Sequence, residues 1–321
     1  MSIFVTGVAG FVAANLVERL LARGDRVVGF DNLCRGSMGN IATALRHPSF
    51  SFEKVDLADL AAYRRGLSHV HASSPVSEVW HLAANSDIPA GIADANIDLR
   101  DTLMTTFNTV ELMKELKIGK LAFASSSAVY GDHGDRLLAE DSGPLFPISN
   151  YGAMKLASEG VISAALESHL ERAYIFRFPN VIGVPATHGA IYDFVHKLRA
   201  SPKRLDVLGD GSQRKSYLHV DDLVDAMLFI RANTAERLAC FNVGAADEGV
   251  TVRFIAEQAV AAASPGASIQ YGRGNKGWVG DVPKFAYSVA KLKALGWRPR
   301  LDSAQAVRKA VKQIAAQVSH A

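Results

Sequence analysis

The sequence predicts an α/β protein: a doubly wound parallel sheet of the Rossmann type, followed by a smaller C-terminal α/β lobe. Three observations carry this. Short apolar runs alternate with helical patterns through the first half of the chain. Those runs lack an apolar/polar alternation, as strands covered on both faces do. A glycine turn, Gly7 and Gly10, joins the first run to the first helix.

Ile3, Phe4 and Val5 read as the first strand. Residues 11–23 read as a helix with Val12, Leu16, Leu20 and Leu21 on one face, and Gly24 stops it. Strands follow at 26–30, 51–55, 79–82, 120–124 and 173–177, with helices at 99–116 and 151–169. Right-handed crossovers place functional loops at the carboxyl ends of such strands. After Pro179 the rhythm changes, and Gly and Pro become frequent. The expected division is 1–179 as the Rossmann domain, with 215–243 returning to it, and 180–321 as the smaller lobe. Within that lobe, 217–232 reads as a strand end plus a helix capped by Asp221, and 256–263 reads as a helix. Gly272, Gly274, Gly277 and Gly280 mark a glycine-rich loop.

The 321 residues are 49% hydrophobic and 21% charged, which excludes a disordered or fibrous chain. Thirty-five Lys and Arg against 32 Asp and Glu give a net charge of +3, and no basic block suggests nucleic-acid binding. Cys34 and Cys240 make neither a disulfide framework nor a zinc pattern, and no metal site is expected. The first apolar run is broken at Thr6-Gly7 without a basic leader, and no run of about 18 apolar residues occurs. The expected location is the cytoplasm, with no membrane partner.

Chemistry enters with the glycine turn. Gly7, Gly10 and Ala13 form G-x-x-G-x-x-A between strand and helix. Glycine lets backbone approach a pyrophosphate, the helix N-terminus offers free N–H groups, and the small third residue lets helix and strand pack. Asp31 lies at the end of the second strand, 21 residues beyond Gly10. A carboxylate there bonds adenosine ribose hydroxyls and repels a 2′-phosphate, so the cofactor read is NAD rather than NADP. Arg35 is the one contrary hint. Asp56, after the third strand, reaches the adenine edge or caps the next helix.

Tyr151 and Lys155 stand at i and i+4 on one helical face. A phenol titrates near about 10 when unperturbed. A lysine and a nicotinamide cation beside it would stabilise phenolate and make it a usable base. Ser125, Ser126 and Ser127 put three hydroxyls at the end of the fifth strand.

Together these residues resemble the extended short-chain dehydrogenase/reductase superfamily, in its NAD-dependent epimerase/dehydratase family. The nearest resemblance is to nucleotide-sugar epimerases of the UDP-glucose 4-epimerase type. It spans nearly the whole chain. It runs through Thr6 to Phe11, Asp31-Asn32-Leu33, His81-Leu82-Ala83-Ala84, Ser126 to Gly131, Tyr151/Lys155 and Arg177-Phe178-Pro179-Asn180. Beyond these lie Gly209-Asp210-Gly211, Val220-Asp221-Asp222, Gly280-Asp281 and Leu295-Gly296-Trp297.

The resemblance implies that Tyr151 is the acid/base, that Lys155 tunes it and holds the nicotinamide ribose, and that Ser126 meets the substrate C4 oxygen. Gly7, Gly10, Phe11, Val12, Asp31, Asn32, Asp56, Leu57, Leu82, Ala83, Ala84, Ser125, Tyr151, Lys155 and Pro179 would line the NAD. Ser126, Ser127, Tyr151, Asn180, His188, Lys215 and Arg273 would meet the substrate, with 187–194, 205–208 and 271–281 shaping its pocket. The two helices at 99–116 and 151–169 resemble the pair that forms a homodimeric four-helix bundle in this family. Phe107, Val110 and Leu166 are either its contacts or residues facing their own sheet.

Departures matter. The dehydratase branch has Asp-Glu where this chain has Ser127-Ala128, which argues against 4,6-dehydration. Lys215, beside Arg214, replaces the usual arginine after Gly209-Asp210-Gly211. Trp278 stands at another usual arginine position, with Arg273 and Lys276 as candidate substitutes. Lysine cannot make the bidentate fork of arginine. Thr102 stands where asparagine is frequent. The expected activity is NAD-dependent epimerisation at C4 of a UDP-hexose or related nucleotide-diphosphate sugar through a 4-keto intermediate. The alternatives are an NAD(P)-dependent sugar dehydrogenase or 4-keto-sugar reductase, and a non-catalytic NAD-binding regulator.

Overall fold

The computed structural model of the chain describes residues 1–134, 136–274 and 287–319. Gly277, Trp278, Lys276 and Gly280-Asp281 therefore lie outside the described residues. The chain divides into two compact units. One comprises Met1–Gly131, Glu140–Phe178 and Met227–Phe241; the other comprises Asp132–Ala139, Pro179–Ala226 and Asn242–Ala321. Of residues 215–243, 227–241 lie with the first unit, and 215–226 and 242–243 with the second.

In chain order the elements begin β1 (Ser2–Thr6), α1 (Phe11–Ala22), β2 (Val27–Asp31), β3 (Phe50–Lys54), α2 (Leu60–Ser73) and β4 (Val76–His81). Then come α3 (Ile88–Ala93), α4 (Ala95–Asp98), a π-helical stretch Leu99–Met104, α5 (Thr105–Glu115), β5 (Lys120–Ser126), α6 (Asn150–Leu166) and β6 (Arg172–Phe178). The later part holds β7 (Asn180–Ile182), α7 (Ala190–Ala200), β8 (Arg204–Val207), β9 (Arg214–Lys215), β10 (Tyr217–His219), α8 (Val220–Asn233) and β11 (Leu238–Asn242). It ends with β12 (Val250–Thr251), α9 (Val252–Ala263), β13 (Ser268–Tyr271), α10 (Ala290–Leu295) and α11 (Ser303–Ser319).

The first unit is built on a seven-stranded sheet in the order β11-β6-β5-β4-β1-β2-β3. Pairing is parallel from β3 through to β6. The order reverses between β1 and β4, and such a switch point opens a crevice at the carboxyl ends of the strands. Both faces are covered, so β1 and β2 are buried along their length. Phe4 packs edge-on against Phe30 at 4.8 Å, and Tyr63 from α2 closes that cluster. Leu67, one turn on, is fully buried in the same core. Leu67→Ala should cost about 2–5 kcal/mol, read as a lower urea midpoint with unchanged slope.

Several local expectations meet physical corrections. In α1, Ala13, Ala14 and Val17 share the buried face with Leu16, Leu20 and Leu21, while Val12 is half-buried. The helix expected at 99–116 is split by its π-helical first turns. Threonine hydroxyls turn back onto carbonyls one turn earlier: Thr105 to Asp101 at 3.0 Å, Thr106 to Thr102 at 2.9 Å and Thr109 to Thr105 at 2.7 Å. Such back-bonding competes with the regular ladder. Asp221 is no cap, because α8 already begins at Val220. Its carboxylate instead meets His219 and Lys309. Val110 and Leu166 belong to their own unit's core, whereas Phe107 is 43% exposed.

Among its described residues the second unit holds three small strand pairings: β7 with β10 parallel, β8 with β13 parallel, and β9 with β12 antiparallel. Helices α7, α9 and α11 enclose its core, in which Leu205, Ile255, Val307 and Ala310 are fully buried. Among the described residues, no helix is long and apolar enough to cross a membrane, and no cluster of three metal-ligating side chains occurs.

Candidate active site

The glycine turn is forced by geometry. Gly7 has φ +65°, and a Cβ there would lie 2.8 Å from the backbone of Ala83. The β1–α1 and β4–α3 turns therefore touch through bare backbone. Gly10 is the N-cap of α1 and offers no side chain, and the first turn carries no acidic residue. The first N–H groups of α1 are thus left for an incoming anion. Gly7, Gly10, Phe11, Val12, Asn32, Leu82, Ala83 and Ala84 are all half-buried, forming an accessible rim at the carboxyl ends of β1, β2 and β4.

Asp31 closes one side of this rim. Its carboxylate accepts the Ala9 N–H at 3.0 Å and the Leu33 N–H at 2.7 Å. Burial pushes its pKa up, against these two bonds. Arg35 is drawn away from any phosphate role by Asp87, 2.6 Å from its guanidinium. Asp56 accepts the Ala58 N–H and pairs with Arg100, which also holds Asp101. It does not cap α2; Asp59 does, through the Ala62 N–H. Leu57 is buried, and its carbonyl accepts from Asn108 at 2.9 Å. A carboxylate at the end of β2, an uncapped helix N-terminus and a glycine approach fit a dinucleotide.

The second cluster sits at the end of β5. Ser149 caps α6 by accepting the Gly152 N–H at 3.1 Å. A Cβ on Gly152 would lie 2.4 Å from the Ala128 carbonyl, so glycine lets α6 press against the turn after β5. This contact puts the Tyr151 hydroxyl on Ser126, whose oxygen also accepts the Ala128 N–H at 3.1 Å. Ser127 begins the short turn that follows. Lys155 is 2% exposed, and its Nζ donates to the Ala124 carbonyl at 2.6 Å. The same ammonium lies 4.6 Å from the centre of the Phe123 ring and 5.9 Å from that of Tyr151.

The electrostatics differ from the simplest reading of a Tyr/Lys pair. Burial pushes the Tyr151 phenol up to about 12; the bond to Ser126 opposes this and the Asp98 carboxylate adds to it. Burial pulls Lys155 down to about 7, against the charges of Glu159 and Asp98. Under Phe123 lies His81, fully buried and stacked at 5.9 Å. Burial and the Lys155 charge lower its pKa to about 3, so it is neutral. Its ring nitrogens meet Thr6 at 2.7 Å and Thr106 at 3.1 Å, and Thr6 accepts the N–H groups of Leu82 and Ala83. His81 thereby ties down the turn that faces Gly7.

Ser125 is buried, and its hydroxyl donates to Glu159 at 2.5 Å. Glu159 in turn holds Arg177 through two bonds of 3.0 and 2.6 Å. Sequence reasoning passed over Glu159 and Asp98. Glu159 stands four residues beyond Lys155 and continues the Tyr151/Lys155 spacing, which was the available signal. Asp98 offered none.

In the second unit, Pro179 is half-buried, and Asn180 pairs with Tyr217 and donates to the Ser216 carbonyl at 3.3 Å. Lys215 pairs with Val250, and Arg214 donates to the Gly249 carbonyl at 2.9 Å. Gln213 is buried with both amide atoms unpartnered, another residue passed over. His188 and Arg273 are exposed, and His188 meets Thr187 at 3.0 Å.

A sequence model of the NAD dependent epimerase/dehydratase family matches residues 3–244. The UDP-glucose 4-epimerase of Mycolicibacterium smegmatis is 29% identical, over 97% of this chain and 98% of that protein. A crystal structure of a UDP-galactose 4-epimerase matches with a TM-score of 0.85 at 33% identity, covering 99% of this chain and 100% of that one. The Thermus thermophilus UDP-glucose 4-epimerase, solved with NAD, matches with a TM-score of 0.83 at 29% identity, covering 98% and 99%.

Proposed function

The chain belongs to the NAD-dependent epimerase/dehydratase family, and on that footing we propose that it is a nucleotide-sugar epimerase inverting C4 of a UDP-hexose or related nucleotide-diphosphate sugar through a transient 4-keto intermediate. The observation that carries this reading is the meeting of Tyr151, Ser126 and Lys155 at the end of β5.

Gly7, Gly10, Phe11, Val12, Asp31, Asn32, Asp56, Leu57 and the turn 82–84 would hold NAD. NAD supplies a hydride acceptor at C4 that returns what it takes. Tyr151 removes the O4 proton and later restores it, and Ser126 orients that oxygen. Lys155 supplies positive charge to the phenol and keeps N–H donors for a ribose hydroxyl, since only one is engaged by Ala124. The chain's contribution is placement and electrostatics. Ser127 and Ala128 offer no acid for eliminating water from C6, which favours epimerisation over 4,6-dehydration.

We assign the first unit to NAD and the second to the substrate, through Asn180, His188, Lys215 and Arg273. The chain acts in the cytoplasm in this reading, where Cys34 and Cys240 stay reduced. It is a homodimer through the face bearing Leu99, Met104 and Phe107, all exposed apolar residues.

The test is incubation of the purified protein with UDP-, dTDP-, CDP- and GDP-sugars. The expected result is a new C4 stereoisomer with no net use of added NADH. Net consumption of NADH would move the reading to a reductase, and bound NAD without turnover to a regulator. Asp31 gives a second check. NAD should bind far better than NADP, and Asp31→Ser should weaken NAD by about 10- to 100-fold, measured by calorimetry.

A further inference from the structure

Three turns stand side by side at the carboxyl edge of the sheet, because β4, β1 and β2 are neighbours in that order. The middle one is the glycine turn after β1, and the outer two press on it from either side. On the β4 side, the Ala83 backbone lies against Gly7, where a Cβ would come within 2.8 Å. On the β2 side, Gly36 lies as close to Ala9, its Cβ position 2.8 Å from the Ala9 side chain. The Ala9 carbonyl also accepts the Ser37 N–H at 3.3 Å and the Asn40 amide at 2.8 Å.

One ion pair joins the two outer turns to each other. Arg35, from the β2 turn, reaches Asp87, from the β4 turn, with Nη1 2.6 Å from Oδ2. Since β1 lies between β2 and β4, this bridge crosses the carboxyl end of β1. Asp87 is fixed at three points. Its other oxygen accepts the Ala90 N–H at 3.1 Å as the N-cap of α3. Its own N–H donates to the Asn85 side chain at 2.9 Å, and its carbonyl accepts from that side chain at 3.0 Å. The β2 turn is also pinned by side chains. Leu33 takes a left-handed backbone, φ +62°, held by Asp31, which accepts the Leu33 N–H at 2.7 Å, and by Asn32, which accepts the Cys34 N–H at 3.0 Å. The movable part is the ion pair itself, whose side chains are 41% and 31% exposed. An exposed pair adds little to the stability of a fold and opens readily.

We propose that Arg35 and Asp87 form a clasp that shuts over a dinucleotide seated on the glycine turn and slows both its entry and its escape. A dinucleotide with its ribose hydroxyls on Asp31 and its pyrophosphate at the start of α1 runs along this row of turns. The clasp spans the pyrophosphate stretch. Its use follows from the chemistry proposed above: an enzyme that takes a hydride from C4 and gives it back must keep the reduced dinucleotide between the two steps. The pair closes on itself, because the Arg35 cation is matched by Asp87 rather than by a phosphate.

The inference rests on the NAD placement in that reading, and its test needs no sugar. NADH is mixed with dinucleotide-free protein in a stopped-flow fluorimeter, and its release is followed by a chase with excess NAD. Asp87→Asn keeps a cap on α3, since asparagine caps as well as aspartate, and removes only the charge that Arg35 meets. It should raise both the association and the dissociation rate constant by about two- to five-fold and leave their ratio nearly unchanged. Arg35→Met should do the same, and the double variant should add nothing, since either change alone opens the clasp. Raising salt from about 0.05 to about 0.5 M should close the gap in release rate between wild type and Asp87→Asn, because salt screens an exposed pair. A residue that only bonds the ligand, or only props the fold, changes release without speeding entry. Two outcomes overturn the proposal. One is Asp87→Asn with both constants unmoved. The other is Asp87→Asn with slower release, the sign that a freed Arg35 grips phosphate. Asp31→Ser separates the clasp from the cofactor placement. If it weakens NAD while Asp87→Asn moves neither constant, the placement stands and the clasp falls; if Asp31→Ser is also without effect, both fall.

Discussion

Tyr151→Phe should lower turnover of a nucleotide sugar by about 10²–10⁴-fold while leaving NAD binding intact. The substitution removes one oxygen and keeps the ring, so the packing of α6 against the β5 turn survives. Only the proton acceptor for O4 and the bond to Ser126 are lost. The free protein is not itself a poised base, because burial holds the phenol up at about 12. Two positive charges have to bring it down: the Lys155 ammonium and that of oxidised nicotinamide when bound. The sign of the pH dependence follows. Lys155 loses its charge as pH rises through about 7, so its help to the phenolate fades on the alkaline side. Turnover should therefore fall as pH climbs through that titration, well before Tyr151 would titrate alone. The measurement is kcat against pH for wild type and variant by a coupled assay for the epimer. A Tyr151→Phe protein turning over at near wild-type rate would remove Tyr151 from the chemistry.

The strands and the reactive pair were legible because local pattern dictates them. Apolar runs buried on both faces announce β1, β2, β4, β5 and β6 without help from the rest of the chain. The i, i+4 spacing of Tyr151 and Lys155 needs only a helix. Helix α2 was less legible: only Tyr63, Leu67 and Val70 are buried, among arginines, histidines and Gly66. The π-helical turns before α5 depend on threonine hydroxyls choosing backbone carbonyls, a choice settled by packing rather than periodicity. The electrostatics of the site were hidden for a similar reason. Asp98 lies 57 residues before Lys155, and nothing in its neighbourhood marks it as buried. Likewise, no spacing shows that Arg35 turns to Asp87. Sequence names the groups, but the balance between burial and neighbouring charge decides whether each is charged.

Arg177→Met should cause the largest loss of stability of any single change considered, about 3–5 kcal/mol. Arg177 is 7% exposed and its guanidinium makes four hydrogen bonds. Two bonds go to Glu159, one to the Tyr130 hydroxyl at 3.0 Å and one to the Glu140 carbonyl at 3.2 Å. The pair links β6 to α6, and through Ser125 it reaches β5. Methionine fills much of the space but leaves a buried carboxylate with only a serine hydroxyl to hold it. The cost arises from that stranded charge more than from the lost bonds, so the double variant Arg177→Met/Glu159→Leu should recover most of it. A buried carboxylate without a cation is driven toward its neutral acid, so the single variant's deficit should narrow as pH falls from about 7.5 to about 5. Arg64→Met is the control: its two bonds to Glu115 lie in water, and its loss should scarcely move the urea midpoint. If Arg177→Met unfolded at the same urea concentration as that control, or if its deficit were independent of pH, the buried pair would not be the linchpin between β6 and α6.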